Sequence, residues 1–299
     1  LVSLNIKAYV MLVLASIFWA GNFIIGKFAF VENIPPFSLV FFRWLTVWFI
    51  LLPFTYKEII KYKKEILGSL PLLLLLGLMS VGLFNSFVYI SLQYTQVINA
   101  SLFNTAIPAA IILFCFIFKI EKTNIYQLVG LLISVLGILV IITKYNLNIL
   151  LNLDFNIGDI WMIGAVICWG LYSSFLKKLN LKVSLLTFVH IVCTCGLLFL
   201  IPQFSFEFFQ GNAVSPNKIF FYCLLYLAIF PSIGSYYCWA GAVSIIGPNR
   251  SGIFLSLIPV FSTLMAIVFF DEEFKFYHTV GSILVIIGLF LSNKKLNRI

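Results

Sequence analysis

The stretch FWAGNFIIGKFAF, residues 18–30, has a counterpart in GDIWMIGAVICWGLYSSFLKK, residues 158–178. In each, a Trp precedes a Lys by eight positions: Trp19 and Lys27, then Trp169 and Lys177. The spacing holds outward from there. Pro108 and Glu121, thirteen apart, recur as Pro259 and Glu272, and Gly130 and Gly137 recur as Gly281 and Gly288. The polar residues between these landmarks do not repeat: Asn22 aligns with Tyr172, and Asn104 with Leu255. The scaffold is kept and the polar chemistry has diverged. A repeat of this kind in a membrane protein points to a carrier with its site between related halves.

Composition identifies the solvent. Of 299 residues, 62% are hydrophobic and only 10% charged, against roughly 25% charged in a soluble domain. No water-soluble core of this length hides so much apolar surface, so most of the chain belongs in a bilayer. Apolar runs separated by short polar punctuation predict helices over 7–30, 37–56, 66–92, 96–118 and 125–143. A second set falls over 157–178, 185–204, 218–245, 249–270 and 276–293. These runs are too long for barrel strands, which need about ten residues of alternating polarity. The expected fold is an all-α polytopic membrane protein of ten transmembrane helices. Its two five-helix repeats occupy 1–145 and 156–296. The first run lacks an A-x-A-like cleavage site and is read as a retained helix.

Charge orients the bundle. With the N-terminus in the cytoplasm, the inner segments hold fourteen Lys and Arg, among them Lys7, Lys57, Lys177, Arg250 and Arg298. The outer segments hold three: Lys144, Lys218 and Lys275. That is a positive-inside bias, and it places both termini in the cytoplasm. Five spans per half make the second half enter from the opposite side, so the halves become inverted repeats. The net charge of +9 is thereby read as topology rather than nucleic-acid binding. Six Cys lie inside apolar runs, and the Cys193/Cys195 pair has no partner pair to complete a zinc site. No metal or cofactor is expected.

The order of motifs resembles the EamA family of the drug/metabolite transporter superfamily. The resemblance rests on residues 18–30 and 158–178, on PPFSLVFFRW at 35–44, and on YISLQYTQVINASLFNTAIPAAIILFCFIFKIEK at 89–122. It continues through GLLISVLGILVI at 130–141, WAGAVSIIGPNRSGIFLSLIPVFSTLMAIVFFDEE at 239–273 and GSILVIIGLFL at 281–291. It implies a central cavity inside helices 1–4 and 6–9, with helices 5 and 10 at the periphery. It also implies transport of small metabolites, often amino-acid export, without ATP hydrolysis. Consistently, no G-x-x-x-x-G-K-[ST] motif occurs.

Candidate substrate-binding residues are the polar and aromatic ones at mid-span: Trp19, Asn22, Asn85, Tyr89, Asn104, Thr105, Trp169, Tyr172, Tyr236, Trp239 and Ser256. Each could instead satisfy a helix–helix hydrogen bond. Lys27 and Arg43 read as an outer gate or vestibule, or as a structural ion pair with Glu32. Pro108 and Pro259 read as mid-helix hinges, because each removes a backbone donor. Glu121 and Glu272 follow helix ends, where the dipole disfavours a carboxylate, so local compensation is expected. The run Asp271-Glu272-Glu273 reads as a solvated turn. His190 is a structural side chain or a proton relay. The paired glycines need only close helix packing.

The favoured reading is an inner-membrane carrier of amino acids or related amphipathic solutes, working outward by alternating access. Its partners are a small-molecule substrate and the lipid bilayer, with no nucleic acid. The oligomeric state, monomer or homodimer, stays open. One alternative is a sugar-phosphate or nucleotide-sugar antiporter, disfavoured because the fourth and ninth runs lack a central cation. The other is a polytopic membrane enzyme, for which no catalytic cluster stands out.

Overall fold

The computed structural model describes residues 2–120, 125–146, 156–212, 214 and 217–292. Glu121 lies outside them. All regular structure among them is helical. The helices are α1 (Val2–Val31), α2 (Pro36–Lys61), α3 (Leu70–Tyr94), α4 (Val97–Ile117) and α5 (Ile125–Thr143). The second half has α6 (Ile157–Leu176), α7 (Leu185–Phe209), α8 (Lys218–Ile246), α9 (Arg250–Phe270) and α10 (Phe276–Ser292). Eight of these, all but α5 and α10, are long and apolar enough to cross a membrane. This is an integral membrane protein.

Polar caps start several helices where the sequence turns from polar to apolar. The side chains of Asn156, Ser184 and Asn217 accept from the N–H groups of Gly158, Thr187 and Phe220. Each satisfies one of the N–H groups that a helix start leaves without a partner.

The packing of the two halves is reciprocal. Helix α1 lies against α8 and α9, and α6 lies against α3 and α4. Helix α2 pairs with α7, and α5 with α10. Glycines set the last contact. A Cβ added at Gly137 would fall 2.6 Å from the Gly281 carbonyl oxygen, and one at Gly288 would fall 2.5 Å from that of Gly130. The pairing is therefore antiparallel and close, and the close packing is what the glycine spacing implies.

The helical irregularities also come in pairs. Helix α3 contains a π segment, Leu78–Phe84, and α8 contains one at Ala228–Gly234. Helix α4 tightens to a 3₁₀ segment at Phe103–Ala106, and α9 does so at Ile253–Ser256. The prolines need correction in this light. Pro108 is not inside a continuous α-helix; it is the second residue of a segment that restarts at Ile107. Pro259 is the third residue of one that restarts at Leu257. Proline is tolerated in a first turn, where its missing N–H costs nothing. The 3₁₀ segment ahead of it absorbs the bend.

Candidate functional site

The centre of the bundle is an aromatic box built from both halves. The Trp19 ring meets Trp169 edge-on, with centroids 5.0 Å apart, and Trp239 at 5.7 Å. Trp169 also packs on Phe84 at 4.7 Å, Tyr172 at 4.9 Å and Tyr236 at 5.4 Å. The repeat landmarks Trp19 and Trp169 are thus direct neighbours across the interface. A cavity of about 10 Å³ remains, lined by Trp19, Asn22, Phe23, Phe84, Asn104, Ile107, Trp169, Leu255 and Ile258. That is room for about one water, so the chamber is closed. Two open hollows, about 650 and 550 Å³, lie at the opposite ends of the bundle. Neither shares a lining residue with the chamber.

Arg43 departs from its expected place. It is not in an outer vestibule but fully buried, with 0% of its surface exposed. By helix rise it lies about 10 Å in from the start of α2. Its Nε donates to Ser232 Oγ at 2.6 Å. One terminal nitrogen, Nη1, donates to Asn22 Oδ1 at 2.8 Å, Asn85 Oδ1 at 2.9 Å and the Tyr89 hydroxyl at 2.8 Å. The other, Nη2, has no partner. The guanidinium also stands 5.2 Å from the Trp44 ring. Three predicted substrate residues, Asn22, Asn85 and Tyr89, therefore surround a cation, and Asn22 joins that group to the chamber wall. The π segments feed the same network: Ser80 O accepts from Asn85 Nδ2 and the Tyr236 hydroxyl, and Pro231 O from Trp19 Nε1.

Lys27 caps the end of a neighbouring helix. Its ammonium donates to the carbonyls of Leu92 and Thr95 at 3.0 and 3.1 Å, where α3 ends. A cation there completes orphan carbonyls and favours the dipole. Glu272 corrects the reading of its run as a solvated turn. It is buried, and its carboxylate accepts from Val97 N at 2.8 Å and Ile98 N at 2.9 Å, the first two N–H groups of α4. The dipole objection at its own helix end is offset by a neighbouring helix start.

Two glutamates that sequence reasoning passed over repeat this device. Glu207, near the end of α7, accepts from Phe37 N, Ser38 N and Ser38 Oγ at the start of α2. Glu58, near the end of α2, accepts from Ser184 N, Ser184 Oγ and Thr187 Oγ1 at the start of α7. Helices α2 and α7 are clasped at both ends. The sequence signal was a Glu at a helix end, but its receiver is decided by helix pairing.

The remaining candidates scatter. Thr105 Oγ1 bonds back to Leu102 O, and Ser256 Oγ has no partner and lies off the chamber wall. His190 is buried against Thr55, and among the described residues no acid bonds to it. His278, not singled out by sequence, accepts from Lys275 N at Nδ1 and bonds Asn99 Oδ1 through Nε2. It is held as the neutral tautomer and ties α10 to α4.

Two reciprocally packed sets of helices enclose a closed aromatic chamber, with a buried cation joined to its wall through Asn22. Comparison with known proteins narrows this. The model of the EamA-like transporter family matches twice, over residues 6–143 and 156–294, and the chain belongs to that family. An uncharacterized transporter of Archaeoglobus fulgidus is 30% identical, covering 98% of this chain and 99% of its own. The uncharacterized transporter YetK of Bacillus subtilis is 28% identical, over 98% and 88%. A WAT1-related protein of Arabidopsis thaliana is 24% identical, over 95% and 85%. A solved crystal structure shares the fold with a TM-score of 0.63 at 16% identity, covering 97% of each chain.

Proposed function

We propose that this transporter is a secondary carrier of ten spans, two inverted five-helix repeats over 1–145 and 156–296. It moves small amphipathic metabolites such as amino acids, in the outward direction. Its seat is a bacterial inner membrane, with both termini cytoplasmic. Substrate binds in the aromatic chamber and the halves rock around it.

The observation that carries the reading is the pairing of irregular turns. The two π segments start 150 positions apart, and so do the two 3₁₀ segments. Such segments bend a helix and free carbonyls without unfolding it. Placing them alike in each half gives each half the same flexible points around one chamber. The double match to one family model supports the repeat, and the remaining two spans of the proposal are α5 and α10, which carry shorter apolar helical stretches.

Counterflow in proteoliposomes against a panel of amino acids and metabolites tests the function. Accumulation of at least one preloaded class is expected; none across the panel would sink the carrier reading. Thiol-reagent labelling of tags at both ends tests the topology, which fails if the termini are reached from opposite sides.

A further inference from the structure

The buried charge at the centre is unbalanced. Arg43 has four hydrogen-bonding partners, on α1, α3 and α8, and all four are neutral acceptors. Among the described residues no carboxylate pairs with it. Even with snorkelling, an unpaired charge within a membrane costs at least about 2.5–3.5 kcal/mol, and Arg43 is too enclosed to snorkel. Its Nη2 is a buried donor without an acceptor.

The same shortage recurs around it. The indole N–H groups of Trp44, Trp169 and Trp239 are buried and without partners. Indole nitrogens and guanidinium nitrogens can only donate. Tyr236 links these groups: its ring is 5.0 Å from Trp44 and 5.4 Å from Trp169, and its hydroxyl is 3.4 Å from Asn85 Nδ2. A polar basket with one positive charge and surplus donors therefore opens on an aromatic box. No acidic side chain lines the box.

We propose that Arg43 is the anion anchor of this carrier and that its solute is a monocarboxylate with an apolar or aromatic body. This rests on the carrier reading but changes its solute class, from zwitterionic amino acids to monocarboxylates. One guanidinium balances one carboxylate, which takes two parallel N–H bonds. A phosphate ester brings more charge than the basket holds. A zwitterion brings an ammonium for which the box has no carboxylate. In the closed chamber Ser232 Oγ holds Nε and Nη2 has no partner; a carboxylate takes this Nε–Nη2 edge when the chamber opens, and the Nη1 bonds to Asn22, Asn85 and Tyr89 stay in place.

The test compares four probes of one shape on the purified full chain: 3-phenylpropionate, its amide, phenylalanine and 2-phenylethylamine. Binding is read from quenching of the intrinsic Trp fluorescence, and uptake from counterflow. The acid is expected to bind at least about tenfold more tightly than each of the others, about 1.4 kcal/mol. In Arg43→Gln the acid and the amide should fall within about twofold of each other, while Arg43→Lys keeps part of the preference. The wild-type comparison needs no variant to fold. Equal binding of acid and amide, tightest binding of the amine or the zwitterion, or binding of none overturns the proposal. So does chloride giving the full quench, which would mark an inorganic anion site. Acid binding that depends on Arg43 without any counterflow would sink the carrier reading and leave the anchor standing. Counterflow of amide or amine at a rate indifferent to Arg43 would do the reverse.

Discussion

Replacing Glu272 by Gln isolates the clasp at the start of α4. The wild-type carboxylate accepts from two backbone N–H groups, one per oxygen, at 2.8 and 2.9 Å. A helix start leaves such N–H groups without intrahelical partners. Gln offers one oxygen and turns an NH₂ toward the other donor. The loss is one charge-assisted bond, about 1.5–3 kcal/mol, plus a helix-dipole interaction of roughly 0.3–1 kcal/mol. A total of about 2–4 kcal/mol follows. If all of it falls on the unfolding barrier, the half-life at a fixed temperature shortens roughly 30- to 900-fold. The assay is the decay of monodisperse full chain in detergent, followed by size exclusion. Glu273→Gln is the control, because its side chain is 79% exposed and only brushes Lys275 at 3.5 Å; a surface pair of this kind contributes little. Glu272→Gln decaying within about threefold of Glu273→Gln would refute the clasp.

Other outcomes use the same measurement. Lys27→Met should cost about 1–2 kcal/mol, because the carbonyls of Leu92 and Thr95 lose a charged donor; Lys27→Arg should recover part of it. Gly137→Val should destabilise by about 1–3 kcal/mol, since its Cβ runs into the Gly281 backbone. The same change at Gly68, where no atom lies within 4 Å, should stay near wild type. Trp19→Phe keeps the ring contacts but strands Pro231 O, so about 1 kcal/mol of stability and a measurable fraction of transport rate should go together.

The sequence revealed what depends on one helix at a time. Apolar run length placed the helices, and the eight-residue step from Trp19 to Lys27 exposed the duplication. The glycine seven-spacing foretold a closely packed face on α5 and on α10, though not that the two faces meet each other. It was silent where two elements decide together. Glu58, Glu207 and Glu272 look like ordinary helix-end acids until another helix start arrives beside each. Arg43 was misplaced for a similar reason. Two turns from a helix end suggests the interface only when that end is itself exposed, and here α1, α3 and α8 wall it in. The π segments carry no sequence mark beyond Pro231 in one of them.

The division between what repeats and what does not has a mechanical sense. The irregular turns and the clasped α2–α7 pair serve both halves alike, as a reversible rocking motion requires. The cation is present once. The position 150 residues after Arg43 is Cys193, whose thiol donates to Trp44 O beside the guanidinium. Three of the Arg43 partners, Asn22, Asn85 and Tyr89, belong to its own half, and one, Ser232, belongs to the other. Separating the halves therefore breaks one bond to the guanidinium and keeps three. The anchor travels with the first half, with Nε released together with the already unpaired Nη2. Those two nitrogens form one edge of the guanidinium fork, and a carboxylate fits that edge with two parallel bonds. Opening the chamber thus presents the anion site, and closing it returns Ser232 to Nε.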